Sequence, residues 1–244
     1  MERNIIIGLI ITLLIIIVVG SFLIVNSENM FHKKNDLLIE DDPFINYYTR
    51  KNNHYTNEIG PCYDKPIIYL YPTTSTEVEV KLGNPEKLSC SYPKYTNGWR
   101  VLANPDGKLI DLETGRKLYS LYWEGIRTDK INLNEGFVVK GEDTAKFFEE
   151  KLAILGLNEY ETEEFIVYWL PKMENNKYNF IRFATAEEIN DYMPLEFSVE
   201  PDSLIRVLMQ FKPLENPIQV VEQRLTSPER TGFVVVEWGG SEIN

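Results

Sequence analysis

Two short strings in this chain set a carboxylate beside an indole at the end of an apolar run: Trp123-Glu124-Gly125 and Glu237-Trp238-Gly239. Apolar neighbours raise a carboxyl pKa by withholding solvation from the charged form. A Glu held protonated in this way, with a second ionised Glu nearby, is the acid and base pair of glycoside hydrolysis. If the two strand ends meet, Glu124 and Glu237 are the expected catalytic pair, and Trp123 and Trp238 are expected ligand platforms for a sugar ring. The competing reading is structural. The indoles then fill the core, and each Glu pairs with a basic side chain such as Arg206, which interrupts the apolar segment from Leu204 to Phe211.

Other chemistries are excluded by composition. Both histidines, His32 and His54, fall in residues 26–60. The rest of the chain therefore has no Ser-His-Asp or Cys-His nucleophile system and no HExxH zinc centre. No GxxxxGK[ST] or GxGxxG string cradles a nucleotide phosphate. Leu102 to Glu113 puts Asn104, Asp106, Gly107 and Glu113 in register with an EF-hand loop, but Leu102 and Ile110 stand at ligand positions. A hairpin on Pro105-Asp106-Gly107 is the expectation there, with no metal and no cofactor. Cys62 and Cys90 are the only cysteines, with 27 residues between them. A structural disulfide is expected, contributing about 3 to 4 kcal/mol in the chain-entropy model; the alternative is two thiols buried on strand faces.

The elements that must position these residues read as strands first and helices later. Lys65 to Tyr71 is an apolar run bounded by prolines, and Val78, Val80 and Leu82 alternate with Glu77, Glu79 and Lys81. Segments 88–92, 99–103, 108–112 and 117–123 continue the pattern, separated by Thr-Asn-Gly, Asn-Pro-Asp-Gly and Glu-Thr-Gly turns. After a strand at Gly136–Lys140 the period changes. Ala145, Phe148, Leu152 and Leu155 recur at helical spacing and Gly156 stops the helix; Asn158 with Glu161 then caps a second one, expected to end at Pro171. Strands resume at Asn179–Ala184, Leu195–Val199, Ser203–Phe211, Pro217–Leu225 and Gly232–Trp238. The expected fold is α+β: a large antiparallel, sandwich-like sheet domain over residues 61–244 with an inserted αα hairpin. The repeated string Gly-Phe-Val-Val at 136–139 and 232–235 is too short to indicate duplication.

Several strings together carry a resemblance: Lys65-Pro-Ile-Ile-Tyr-Leu-Tyr-Pro72, Gly98-Trp99, Pro105-Asp-Gly107, Trp123-Glu-Gly125, Glu164-Phe-Ile-Val-Tyr-Trp-Leu-Pro171 and Glu237-Trp-Gly-Gly240. On these, the chain from about Cys62 to Gly240 resembles an uncharacterised family of secreted or membrane-anchored microbial proteins. The resemblance implies an extracytoplasmic single domain. It supplies no catalytic residue.

Location is read from the other end of the chain. After a four-residue leader, residues 5–25 form an unbroken apolar run without charge or proline. At about 1.5 Å of rise per residue this crosses a roughly 30 Å hydrocarbon core as one helix. A cleaved signal peptide is the alternative, but the run is longer than an h-region and lacks an A-x-A-like end. Residues 26–60 read as a polar tether. Arg3 before the helix and Lys33 and Lys34 after it lean against an outside domain, whereas the short leader and the cysteine pair favour one. The expected location is the cell membrane, single-pass, with the C-terminal domain extracytoplasmic. The formal charge of -12 disfavours nucleic acid as a partner. The expected partners are the lipid bilayer through residues 5–25 and a glycan or surface protein, recognised without catalysis. Rival expectations are a carboxylate-dependent glycan hydrolase and a structural subunit of an envelope assembly.

Overall fold

A computed structural model describes residues 62–126, 131–226 and 228–243. The expected anchor at 5–25 and tether at 26–60 lie outside the described residues. Within them no helix is long and apolar enough to cross a membrane.

The chain runs β1 (Cys62–Tyr71), β2 (Thr76–Leu82), β3 (Leu88–Tyr92), β4 (Trp99–Ala103), β5 (Leu109–Asp111), β6 (Lys117–Leu118), β7 (Leu121–Ile126) and β8 (Glu135–Lys140). It continues with α1 (Thr144–Ile154), α2 (Glu159–Met173), β9 (Tyr178–Phe183), α3 (Ala186–Tyr192), β10 (Leu195–Phe197), β11 (Ser203–Leu214), β12 (Val221–Glu222) and β13 (Val234–Glu242). The class is mixed α+β, and the strands divide between two sheets. One has eight strands in the order β12-β8-β9-β11-β13-β1-β7-β3, the other five in the order β10-β2-β4-β5-β6. Pairing is antiparallel except at β11/β13 and β8/β12.

The eight-stranded sheet is covered on both faces, which explains why its central strands read as continuous apolar runs. On one face Ile68, Leu70, Leu121, Trp123 and Val235 meet Val78, Val80, Trp99 and Val101 of the five-stranded sheet, along with Ile189 and Tyr192 of α3. On the other, Ile67, Tyr69, Val207, Met209, Val236 and Trp238 meet Phe148 and Leu152 of α1 and Phe165 and Trp169 of α2. Alternation along each strand thus assigns neighbouring residues to opposite layers.

Four segments depart from the sequence reading. The expected strand 117–123 is two strands in different sheets: the chain leaves the five-stranded sheet after Leu118 and enters the other at Leu121. The helix α2 passes through Pro171 and ends at Met173. A proline in the last turn removes only its own N–H, and the carbonyl that loses a donor belongs to Val167, whose position is exposed. A short helix, α3, fills residues 186–192 where the sequence reading places no element; Thr185 and Glu188 form its capping box. The expected strand Pro217–Leu225 shrinks to Val221–Glu222.

Candidate functional site

The expected carboxylate pair does not assemble. Glu237 is fully buried on the face toward the five-stranded sheet, where its Oε2 accepts from Arg206 Nε at 2.6 Å and its Oε1 from Trp123 Nε1 at 2.9 Å. The Arg206 guanidinium also donates to Asn190 Oδ1 and to the carbonyl of Met193, each at 2.9 Å. Arg206 and Glu237 are direct partners in the β11/β13 register, so the ion pair fastens α3 and the chain beyond it to the sheet centre. Trp123 lies on that same face, and strand alternation turns Glu124 to the other. There Glu124 hydrogen-bonds the Tyr122 phenol, which burial and this carboxylate together push well above the ordinary tyrosine range. One sheet separates the two carboxylates, and no single sugar ring can meet both.

The indoles are corrected with them. Trp123 and Trp238 are completely buried, on opposite faces, and neither offers a platform. The Asn104–Lys108 segment is the expected hairpin: Gly107 N donates to the carbonyl of Asn104 at 2.9 Å, and Asp106 is bound by Lys108 at 2.6 Å. Cys62 and Cys90 are not joined. Cys62 pairs with Ile126 and Cys90 with Glu124, so β7 runs between their strands. Two strand spacings and a two-residue offset along β7 place their Cα atoms about 12 Å apart, beyond the reach of a disulfide. Cys90 is exposed, so the buried-thiol alternative fails for it as well.

What the fold brings together lies on the helix-covered face, around a fault in β1. Lys65 has φ 54° and is the only non-glycine residue in the left-handed region among the described residues. In that region the Cβ crowds its own backbone, at about 1 to 2 kcal/mol. The register slips between Asp64 and Ile67 against β13 and between Tyr63 and Ile67 against β7, so β1 carries one extra residue against both neighbours. Pro66, with no N–H for the ladder, sits in the bulge. Gly239 and Gly240 on β13 make the room: a Cβ on Gly239 would stand 2.8 Å from Pro66 Cα, and one on Gly240 2.7 Å from Trp169 Cζ2.

The bulge aims Lys65 across aromatic faces. Its Nζ lies 4.8 Å from the Tyr168 ring centroid and 5.3 Å from that of Trp238. Burial lowers its pKa, Glu164 partly offsets this, and Lys172 lowers it further. Lys172 sits over Tyr168 and Trp169 at 4.2 and 4.6 Å and has its own counter-ion, Asp64, at 3.7 Å. Next along β1, the Tyr69 hydroxyl donates to Glu164 and accepts from Trp238 Nε1 at 3.2 Å. Burial first, then Glu164, pushes the Tyr69 phenol far above its ordinary range.

Tyr69 and Glu164 also form one wall of an open cleft of about 340 Å³, where the end of β1, the β4–β5 hairpin and the first turns of α2 meet. The Tyr69 and Tyr71 rings run parallel within 4° at 6.3 Å, and Tyr119 tilts toward Tyr69 at 6.4 Å. Tyr119 comes from the crossing between the two sheets and is 56 % exposed; Tyr160, on α2, is 80 % exposed. Behind the cleft Arg230 bonds both oxygens of the buried Glu161, at 2.8 and 2.9 Å, and sits 5.3 Å from the centroid of Tyr71. Gly107 lets the hairpin close against this wall, since a Cβ there would lie 2.6 Å from Tyr71 Cε1. The arrangement offers phenol faces, hydroxyls and amide and carboxylate groups to one ligand.

These residues escape sequence reasoning because Tyr69 and Tyr71 read as strand core and Glu164 as helix surface. Some of them fall in the strings on which the sequence reading rests its resemblance. Lys65-Pro66, Tyr168-Trp169 and Trp238-Gly239-Gly240 converge at the bulge, and Tyr69, Tyr71, Asp106-Gly107 and Glu164 at the cleft. Comparison of the chain with protein-family models, with curated proteins and with solved structures finds no match.

Proposed function

We propose that this chain is a membrane-anchored, extracytoplasmic recognition domain that binds a glycan in the tyrosine-lined cleft. The observation that carries the reading is the pairing of solvent-exposed Tyr119 and Tyr160 with the hydrogen-bonded Tyr69–Glu164 wall. Ring faces pack on the apolar face of a saccharide, while fixed polar groups select its hydroxyls. The wall needs little ordering on binding, which limits the entropic cost. The apolar run at 5–25 supports the anchor, and the chain's negative charge favours a neutral ligand over an anionic polymer. Hydrolysis by Glu124 and Glu237 has no place in this reading.

The test is a glycan screen on the full chain in detergent, followed by titration calorimetry on the best ligand. Replacing Tyr119 or Tyr160 by Ala is expected to weaken binding by about 1 to 3 kcal/mol each, the range for truncating an aromatic anchor, with the thermal transition unchanged. Glycan binding that ignores both substitutions, or no binding across the screen, refutes the proposal.

A further inference from the structure

The charges that line the tyrosine cleft do not balance. Asp106 is matched by Lys108 at 2.6 Å, and Glu161 by Arg230, which bonds both of its oxygens. Glu164 is left over. Its Oε2 accepts from the Tyr69 hydroxyl, and among the described residues its Oε1 has no hydrogen-bond donor. Nor does Glu164 belong to any ion pair among them. Lys65 acts on it at longer range, with its ammonium over the rings of Tyr168 and Trp238. The field of this carboxylate reaches the mouth of the cleft, where it adds to burial in pushing the Tyr119 phenol above its ordinary range.

The rings restrict what can answer that charge. Tyr69 and Tyr71 lie parallel with their centroids 6.3 Å apart, less than the roughly 7 Å that two carbon contacts occupy. Nothing fits between them, so a ligand meets them as one wall, with Tyr119 and Tyr160 at the rim. A sugar ring packs on such faces, and a cation carried by it is attracted both by the phenol rings and by Glu164. The open Oε1 accepts an N–H, which a primary ammonium supplies and a quaternary one lacks.

We infer, building on the glycan-binding reading above, that the cleft selects glycans with free amino groups: glucosamine units rather than their N-acetylated counterparts. The sugar ammonium meets Glu164 at the cleft wall. Acetylation would exchange the cation for a bulkier neutral amide and leave the carboxylate unmatched. The formal charge of -12 draws a polycationic chain toward the protein as well.

The test is titration calorimetry on the full chain in detergent with oligomers of glucosamine, N-acetylglucosamine and glucose of one linkage and length, and with oligolysine of matched charge. The glucosamine oligomer is expected to bind about fivefold more tightly than either neutral oligomer, the gain from roughly 1 kcal/mol of ion pairing, and to lose that margin in added salt. Glu164→Gln keeps an acceptor for Tyr69 and removes the charge. It is expected to abolish the preference and to leave the weaker binding of the neutral oligomers, with circular dichroism reporting that the variant is folded. Equal affinity of the wild-type chain for the glucosamine and N-acetylglucosamine oligomers overturns the inference, as does oligolysine binding as tightly as the glucosamine oligomer, or a preference that survives Glu164→Gln. If a neutral glycan binds in a Tyr119-dependent manner and the glucosamine oligomer binds no better, the inference falls and the cleft reading stands. If no oligosaccharide responds to Tyr119→Ala, both fall.

Discussion

Replacing Arg206 by Met isolates what the buried ion pair does. Glu237 is completely buried and the Arg206 side chain is 3 % exposed, with the two joined at 2.6 Å. Removing the guanidinium leaves the carboxylate with the single N–H of Trp123 and also strips donors from Asn190 and the carbonyl of Met193. Breaking one partner of a buried pair costs about 3 to 5 kcal/mol, because the other charge stays desolvated and unmatched. For a domain whose total stability is of the order of 5 to 15 kcal/mol, that is a large fraction. The Arg206→Met, Glu237→Leu double variant removes both charges at once. It is expected to be more stable than Arg206→Met alone, while still losing about 1 kcal/mol for each orphaned hydrogen-bond partner. Urea denaturation followed by indole fluorescence reads both, since Trp99, Trp123, Trp169 and Trp238 are all buried. A single variant that costs less than about 1 kcal/mol, or a double variant less stable than the single, refutes the reasoning. The pair also recasts the hydrolase idea. Changing Glu237 is expected to weaken the fold, whereas a catalytic acid could be changed to its amide with the fold intact.

Further consequences can be checked in parallel. Gly239→Ala drives a Cβ against the backbone of Pro66 and is expected to cost about 1 to 3 kcal/mol in the same urea assay; an unchanged midpoint would mean that the bulge is soft. Tyr69, Tyr71 and Tyr122 all have folded-state pKa values raised above 10 by burial first and then by Glu164, Glu161 and Glu124 respectively. Their contribution is therefore intact below pH 10 and lost as the pH climbs above it, because the unfolded chain releases protons that the folded chain keeps. Phenolate absorbance is expected to appear partly in one cooperative step that coincides with alkaline unfolding, and independent titration of every tyrosine before unfolding would contradict this. Finally, Cys90 is expected to react with a maleimide without prior reduction, and a requirement for reductant would show that β3 and β1 approach more closely than an intervening β7 allows.

Sequence pattern predicts most of the strands and both long helices, because a layer on one face imposes alternation on a strand, layers on both faces impose a continuous apolar run, and a single covering layer imposes a stripe on each helix. The capping box at Asn158 and the stop at Gly156 are likewise legible as local chemistry. Sheet membership is not. Nothing local in Lys117–Trp123 distinguishes one strand from two that belong to different sheets, and the parallel β11/β13 pair joins residues whose sequence neighbours give no sign of it. The same limit explains the carboxylates. Trp123-Glu124 and Glu237-Trp238 look equivalent as strings, but reversing the order of Glu and Trp does not reveal which residue of each pair faces which layer. Arg206, by contrast, is legible as a partner for one of the two Glu residues, since a lone charge in an apolar strand needs a counter-ion.

The position of β13 has a consequence for how the molecule is made. It lies between β1 and β11, so one half of the large sheet (β1, β7, β3) meets the other (β11, β9, β8, β12) only through it. Among the described strands, β13 is the one that the ribosome delivers last. Until it arrives, the apolar edges of β1 and β11 have no partner on that side, and the Arg206 guanidinium has no Glu237. Closure of the sheet is therefore a late, long-range event of the kind that folds slowly and exposes sticky edges meanwhile.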